Sequence, residues 1–175
     1  TSSSGGGTFN NTGIVQTTGT GTATLASNLA TLINAATGLI HVQTGSMTVG
    51  NFAASTNSGE LRIALGTTLS SSVGMTNAGT ISGSGTLNLA GNTLTNNGSI
   101  APGVAAGDTT GTLTITGNVV LGSTGTVQIE VTDTTVGNFD VLAVSGNVNY
   151  GGTLALSGSA TVGNFPVVTS ATRTA

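Results

Sequence analysis

The chain has no lysine, no cysteine and no tryptophan. Without cysteine there is no disulfide framework, so stability must come from hydrogen bonding and stacking. Export is not excluded by that absence. Without lysine no phosphate loop of the GxxxxGK[ST] type can form, whatever the glycine content. Charge of either sign is scarce: 4% of residues are charged, against about 25% in an ordinary soluble domain. The only arginines are Arg62 and Arg173, and the formal net charge is -3. No basic patch exists, which removes the electrostatic footprint of a nucleic-acid partner and disfavours an anionic membrane surface. No apolar run approaches the roughly 20 residues of a bilayer span, so direct membrane insertion by this segment is not expected. No signal peptide stands at Thr1, as in a mature product or an excised segment.

What is present is glycine, 29 of 175 residues, with many Thr, Ser and Asn. Such a composition also suits flexible linkers. A disordered tract, however, lacks the apolar surface that offsets ordering entropy. Here 37% of residues are hydrophobic, in short, regularly spaced runs, and the chain is therefore read as folded.

The runs alternate with period two. Thr112-Leu113-Thr114-Ile115-Thr116, Thr126-Val127-Gln128-Ile129-Glu130-Val131 and Thr153-Leu154-Ala155-Leu156 are examples, as are Thr86-Leu87-Asn88-Leu89 and Glu60-Leu61-Arg62-Ile63. Each is short, bounded by Gly or Asn, and has one face suited to a core and one to water. Helical spacing is confined to Leu25–Ala36, where Leu25, Leu29, Leu32 and Ile33 allow one helical turn or a loop.

A cassette of Asn, then Gly, then an apolar residue recurs. It occurs at Asn11-Thr-Gly13-Ile14, Asn57-Ser-Gly59-Glu-Leu61, Asn77-Ala-Gly79-Thr-Ile81 and Asn96-Asn-Gly98-Ser-Ile100, and more loosely from Asn34 to Ile40. Its glycines are Gly13, Gly38, Gly59, Gly79 and Gly98, and the steps between them shorten steadily along the chain. A repeat of that size is one coil of a parallel β-solenoid, in which each coil buries its inner face only against its neighbours. The predicted fold is all-β, a parallel β-helix with coils of about 20 residues; roughly eight coils would extend about 40 Å. Asn and Gly suit the bends through left-handed backbone conformations, and stacked Asn at successive bends could add a hydrogen-bonded ladder. After Gly98 the spacing lengthens. Two styles of one solenoid, 1–100 and 101–175, are expected to meet near Ala101-Pro102-Gly103.

The stretch from Asn96 to about Ser157 resembles the passenger β-helix of bacterial autotransporters. The resemblance is carried by Asn97-Gly98-Ser99-Ile100-Ala101-Pro102-Gly103, then Gly111-Thr112-Leu113-Thr114-Ile115-Thr116-Gly117-Asn118. It continues with Gly125 to Val131, Asp140-Val141-Leu142-Ala143-Val144-Ser145-Gly146 and Gly151-Gly152-Thr153-Leu154. The first hundred residues resemble haemagglutinin-like surface repeats more loosely. The resemblance implies a right-handed coil on the outer membrane or outside a Gram-negative cell. It does not choose among the adhesins, proteases, esterases and toxins built on that scaffold.

Candidate chemistry is sparse. His41 is the only histidine and sits on an alternating strand; Glu60 lies about one coil further on, but no GxSxG element supplies a nucleophile. An outward strand histidine is the expected role. Asp108, Glu130, Asp133 and Asp140 are close in sequence. Paired carboxylates could serve glycoside cleavage, but neither basic residues nor aromatic sugar platforms accompany them. Asp108, Asp133 and Asp140 are the weak calcium candidates, and solvated turns are the expected role of most of these acids; the resemblance to the passenger strand implies that Asp140 caps or bonds backbone. Thr112, Thr114 and Thr116 would share a face, as would Thr22 and Thr24. Flat Thr ladders on a solenoid can order water and bind ice. A regular Thr-x-Thr at every coil is not visible in the sequence, so ordinary outward threonines are expected. No charged cap is evident at either terminus.

The expectation is a non-enzymatic extracellular structural or adhesive module with no cofactor and no catalytic residues. Its partners would be host or cell-surface ligands or further copies of itself. A self-assembling fibre subunit is the alternative, and an ice-binding or polysaccharide-acting β-helix is the lesser one.

Overall fold

The computed structural model describes residues 7–25, 29–49, 54–103, 110–133, 135, 137–158 and 163–174. The fold is an all-β parallel solenoid of about six turns, with no helix among these residues. Three strands make a turn. The first turn is β1 (Gly7–Asn11), β2 (Ile14–Thr17) and β3 (Thr22–Leu25). The second is β4 (Leu29–Asn34), β5 (Leu39–Val42) and β6 (Ser46–Val49), and the third β7 (Ala54–Asn57), β8 (Glu60–Ile63) and β9 (Thr68–Ser71). Then come β10 (Met75–Asn77), β11 (Thr80–Gly83) and the long β12 (Thr86–Asn96), which rounds a corner into the next turn. β13 (Ser99–Pro102), the equally continuous β14 (Thr112–Leu121) and β15 (Thr126–Val131) follow. The last strands are β16 (Val141–Val144), β17 (Asn147–Asn149), β18 (Thr153–Gly158), β19 (Val168–Thr169) and β20 (Thr172–Thr174).

Each strand pairs in parallel with the strand one turn before and after it, which gives the rod three sides. The first side runs β1, β4, β7, β10, the later halves of β12 and β14, then β17 and β20. The second is the seven-stranded sheet from β2 to β18. The third runs β3, β6, β9, the earlier halves of β12 and β14, then β16 and β19. The corner within β12 is made by Ala90 and Gly91, both at positive φ (51° and 83°), where Asn88 Oδ1 accepts the Ala90 N–H at 3.0 Å.

Alternation does what the sequence predicts. Ile40, Leu61, Ile81, Ile100 and Val127 stack in register inside the second side, all at most 1% exposed. Met47, Leu69, Leu87, Ile115 and Val144 do the same inside the third. Each full burial of such a side chain contributes about 1.5–3 kcal/mol. The repeated Gly-Asn-Phe motif also stacks on itself: Phe139 and Phe165 meet edge to face at 5.8 Å.

The five cassette asparagines form a continuous ladder at one corner. Asn11 Nδ2 donates to Asn34 Oδ1 (2.8 Å), Asn34 to Asn57 (2.7 Å), Asn57 to Asn77 (2.6 Å) and Asn77 to Asn96 (2.6 Å). All five are buried. The column then continues with Leu121, where the ladder ends.

Three expectations change. Residues 29–34, inside the stretch where one helical turn was allowed, form strand β4. Parallel pairing of Thr31, Leu32, Ile33 and Asn34 on β1 and β7 overrides the near-helical spacing of the leucines. The coils average about 24 residues, not 20, so about six turns are built in place of eight, and the length along the axis is roughly 30 Å. The cassette glycines do not serve by left-handed conformation. Gly38, Gly59, Gly79 and Gly98 are not at positive φ; their missing Cβ atoms would lie 2.1–2.5 Å from backbone oxygens of the previous coil.

Candidate functional site

The second side carries the one charged cluster of the rod's faces among the described residues. β8 holds Glu60 and Arg62 two residues apart, so alternation turns both outward. Arg62 grips Glu60 with two parallel hydrogen bonds, Nε to Oε1 at 2.9 Å and an η-nitrogen to Oε2 at 3.0 Å. Ser82, on β11, donates to Glu60 Oε1 at 3.0 Å. His41, on β5, lies in register with Arg62, which lies in register with Ser82. The histidine is thus two strands, about 9.6 Å, from the only hydroxyl of the cluster. Its path to that hydroxyl is occupied by a cation. Ser82 gives its proton to a carboxylate that Arg62 already neutralises. The arrangement is an ion-pair cluster without the contact between base and nucleophile that acyl transfer requires.

Partial burial, and then the Arg62 charge, lower the His41 pKa below its ordinary 6.5, with Glu60 opposing. A base with a depressed folded-state pKa binds fewer protons folded than unfolded. Stability therefore rises with pH across that window and is lost as pH falls below about 6.5. A small decline in urea midpoint between neutral pH and pH 5 is expected, and His41→Gln should remove the part of it centred on this window. An unchanged slope in His41→Gln would assign the decline to the carboxylates.

The acidic residues do not gather. Asp108 lies outside the described residues. Asp133 is in a turn, where its oxygens accept the Thr135 N–H at 2.6 Å and the Asn138 amide at 2.7 Å. The Thr135 bond, then that from Asn138, lowers its pKa. Asp140 is 2% exposed, and its two oxygens accept the backbone N–H groups of Gly111 (2.8 Å) and Glu130 (2.9 Å). It ties the start of β16 to β15 and to the entry of β14. Glu130 itself stands outward on β15. Among the described residues no three of His, Cys, Asp and Glu come close enough to hold a metal ion.

The third side has a different chemistry. Its outward positions align as two columns: Thr22, Ser46, Thr68, Thr86, Thr114, and beside them Thr24, Thr48, Ser70, Asn88, Thr116. Every pair is two residues apart on one strand, and five successive strands carry one. Nine of these ten positions carry a hydroxyl, and those hydroxyls make no hydrogen bond to protein among the described residues; the tenth, Asn88, holds its Oδ1 on the Ala90 N–H at 3.0 Å. Threonines at the bends behave otherwise: Thr37, Thr44, Thr67 and Thr124 each donate to a carbonyl of the preceding coil at 2.9–3.2 Å. No charged residue stands on the third side among the described residues.

Comparison with protein families, with curated proteins and with solved structures found no match.

Two features were not read from the sequence. The hydroxyl array was hidden because register partners on this side are unevenly separated along the chain. The step from Thr68 to Thr86 is short and that from Thr86 to Thr114 is long, so a fixed period does not reveal the columns. The second is the setting of Arg173 on β20. It lies in register with Val148, a core position, and donates to the Val168 carbonyl at 2.7 Å. Beside it the edge strand β18 leaves Leu154 and Leu156 45% and 64% exposed.

Proposed function

We propose that this chain is a non-enzymatic structural and adhesive rod segment of a bacterial surface protein, of the autotransporter-passenger kind, displayed outside a Gram-negative cell. The observation that supports the reading most is the continuous buried Asn ladder running through five coils. It joins coils end to end without disulfides and gives a stiff spacer. The resemblance of the Asn96–Ser157 stretch to passenger repeats supports the location.

A second reading, assembly with further copies, is favoured by Leu154 and Leu156 of β18, which stand exposed. Exposed apolar side chains close together on one strand mark a contact surface.

Two measurements test both readings. Electron microscopy of the purified chain is expected to show separate short rods; filaments would transfer the conclusion to the second reading. Antibodies raised against the chain are expected to label intact cells of the source organism. Labelling that requires permeabilised cells would overturn the surface location.

A further inference from the structure

We infer that the third side is an ice-binding face, whose ligand is the oxygen lattice of crystalline water. The inference rests on the two columns, hydroxyl-bearing at every position but Asn88, and holds whether or not the chain is a surface rod.

The geometry is that of a two-column grid. Parallel, in-register strands place neighbours within a column about 4.8 Å apart, and alternation places the columns about 6.6 Å apart. Both distances lie close to oxygen repeats on the surfaces of hexagonal ice. The grid extends over five strands, from Thr22 and Thr24 to Thr114 and Thr116, roughly 19 Å.

The side chains suit such a ligand. A threonine offers one hydroxyl, which donates and accepts, and one methyl group, which orders the water around it. These hydroxyls are unclaimed by protein, unlike those of the bend threonines. From Ser46 onward the array is half-buried, and the strand spacing sets each side chain beside its column neighbours. β-Branched side chains so packed keep few χ1 options, which limits the entropy lost on binding an ordered surface. The absence of charge matters equally, because an ion holds its own hydration shell and has no place in the lattice.

The other two sides lack one or more of these properties. The second carries Glu60, Arg62, His41 and Glu130. On the first, Ile33, Gly74 and Val120 interrupt the threonines, and a trough opens at Gly74 between Thr56, Thr76 and Thr93. A crystalline polysaccharide is the other flat lattice such a grid could meet. Sugar rings are held largely by aromatic stacking, and among the described residues the third side has no outward aromatic.

The test uses the whole chain and ice itself. A fluorescently labelled chain is allowed to partition into a slowly grown ice hemisphere, and thermal hysteresis is measured on the same preparation. Incorporation into the ice and shaping of the crystals are expected. Thr68→Lys and Thr86→Lys, at the centre of the grid, should abolish both. Thr126→Lys, outward on the second side, should leave both unchanged. Far-UV circular dichroism and the melting temperature establish that all three variants fold. Exclusion of the native chain from ice would overturn the inference. So would equal loss in Thr126→Lys, or adsorption to crystalline cellulose or chitin without uptake into ice.

Discussion

Asn77→Ala is expected to lower the unfolding free energy by about 3 kcal/mol. Asn77 is completely buried in the middle of the ladder. Its Oδ1 accepts from Asn57 at 2.6 Å; its Nδ2 faces Asn96 Oδ1 at 2.6 Å, the Ser99 carbonyl at 3.1 Å and the Gly79 carbonyl at 3.2 Å. Two amide hydrogens serve these three acceptors, so the short bond to Asn96 takes one and the two carbonyls share the other. Alanine removes all of it. Asn57 keeps the Thr80 and Gly59 carbonyls as acceptors, but Asn96 Oδ1 loses its donor in a place water does not reach. Each group left unsatisfied in this way costs about 1–3 kcal/mol, and the vacated volume adds to it. The control is Thr76→Ala, one residue earlier and outward, for which a change within about 0.5 kcal/mol is expected. Urea unfolding followed by circular dichroism decides the matter. Equal midpoints for the two variants would show that the ladder is ornament to a rod held by its apolar columns alone.

The ladder also shows which parts of the fold were legible in the sequence. Asn11, Asn34, Asn57, Asn77 and Asn96 mark one corner of successive coils, and a polar residue that must meet its own copy betrays the period. Apolar alternation marked the strands for the same reason, since inward positions admit little else. The number of turns was less legible because the sequence period was taken from the shortest coils. Beyond Gly98 the register steps grow: Ser99 pairs with Thr126 and Thr126 with Thr153, whereas Thr80 reaches Ser99 over a shorter stretch of chain. Insertions at bends lengthen a coil without disturbing its strands, so they are invisible to a pattern built on strands.

The surface was less legible than the core. Outward positions have no packing requirement that fixes residue type, and the third-side grid tolerates Ser46, Ser70 and Asn88 among its threonines. The same holds for Glu60, Arg62 and His41. The sequence sets Glu60 about one coil beyond His41, but that Arg62 is the residue in register with His41 follows only from the stacked coils. Asp140 was assigned to backbone bonding from the sequence, and its burial under the Gly111 and Glu130 amides agrees.

Gly79→Ala and Gly13→Ala should differ widely although both glycines occupy the same place in the same cassette. A Cβ on Gly79 would lie 2.1 Å from the Gly59 carbonyl oxygen and 2.5 Å from the Ser58 carbonyl carbon. These are backbone atoms and cannot swing aside. The Gly59 oxygen also accepts the Thr80 N–H at 2.8 Å, and the Gly79 N–H donates to the Asn57 carbonyl at 3.0 Å. Relieving the clash therefore separates two coils at the ladder's corner, where Asn57 and Asn77 are joined. A loss of about 3 kcal/mol or more is expected. Gly13 belongs to the first turn, its Cβ position has no heavy atom within 4 Å, and its φ is not positive. There alanine meets nothing and restricts the unfolded chain, so a neutral result or a gain of up to about 1 kcal/mol is expected. If the cassette glycine were chosen for its left-handed backbone, the two substitutions would be equally costly. Denaturation midpoints measured side by side distinguish close approach between coils from conformational preference within one.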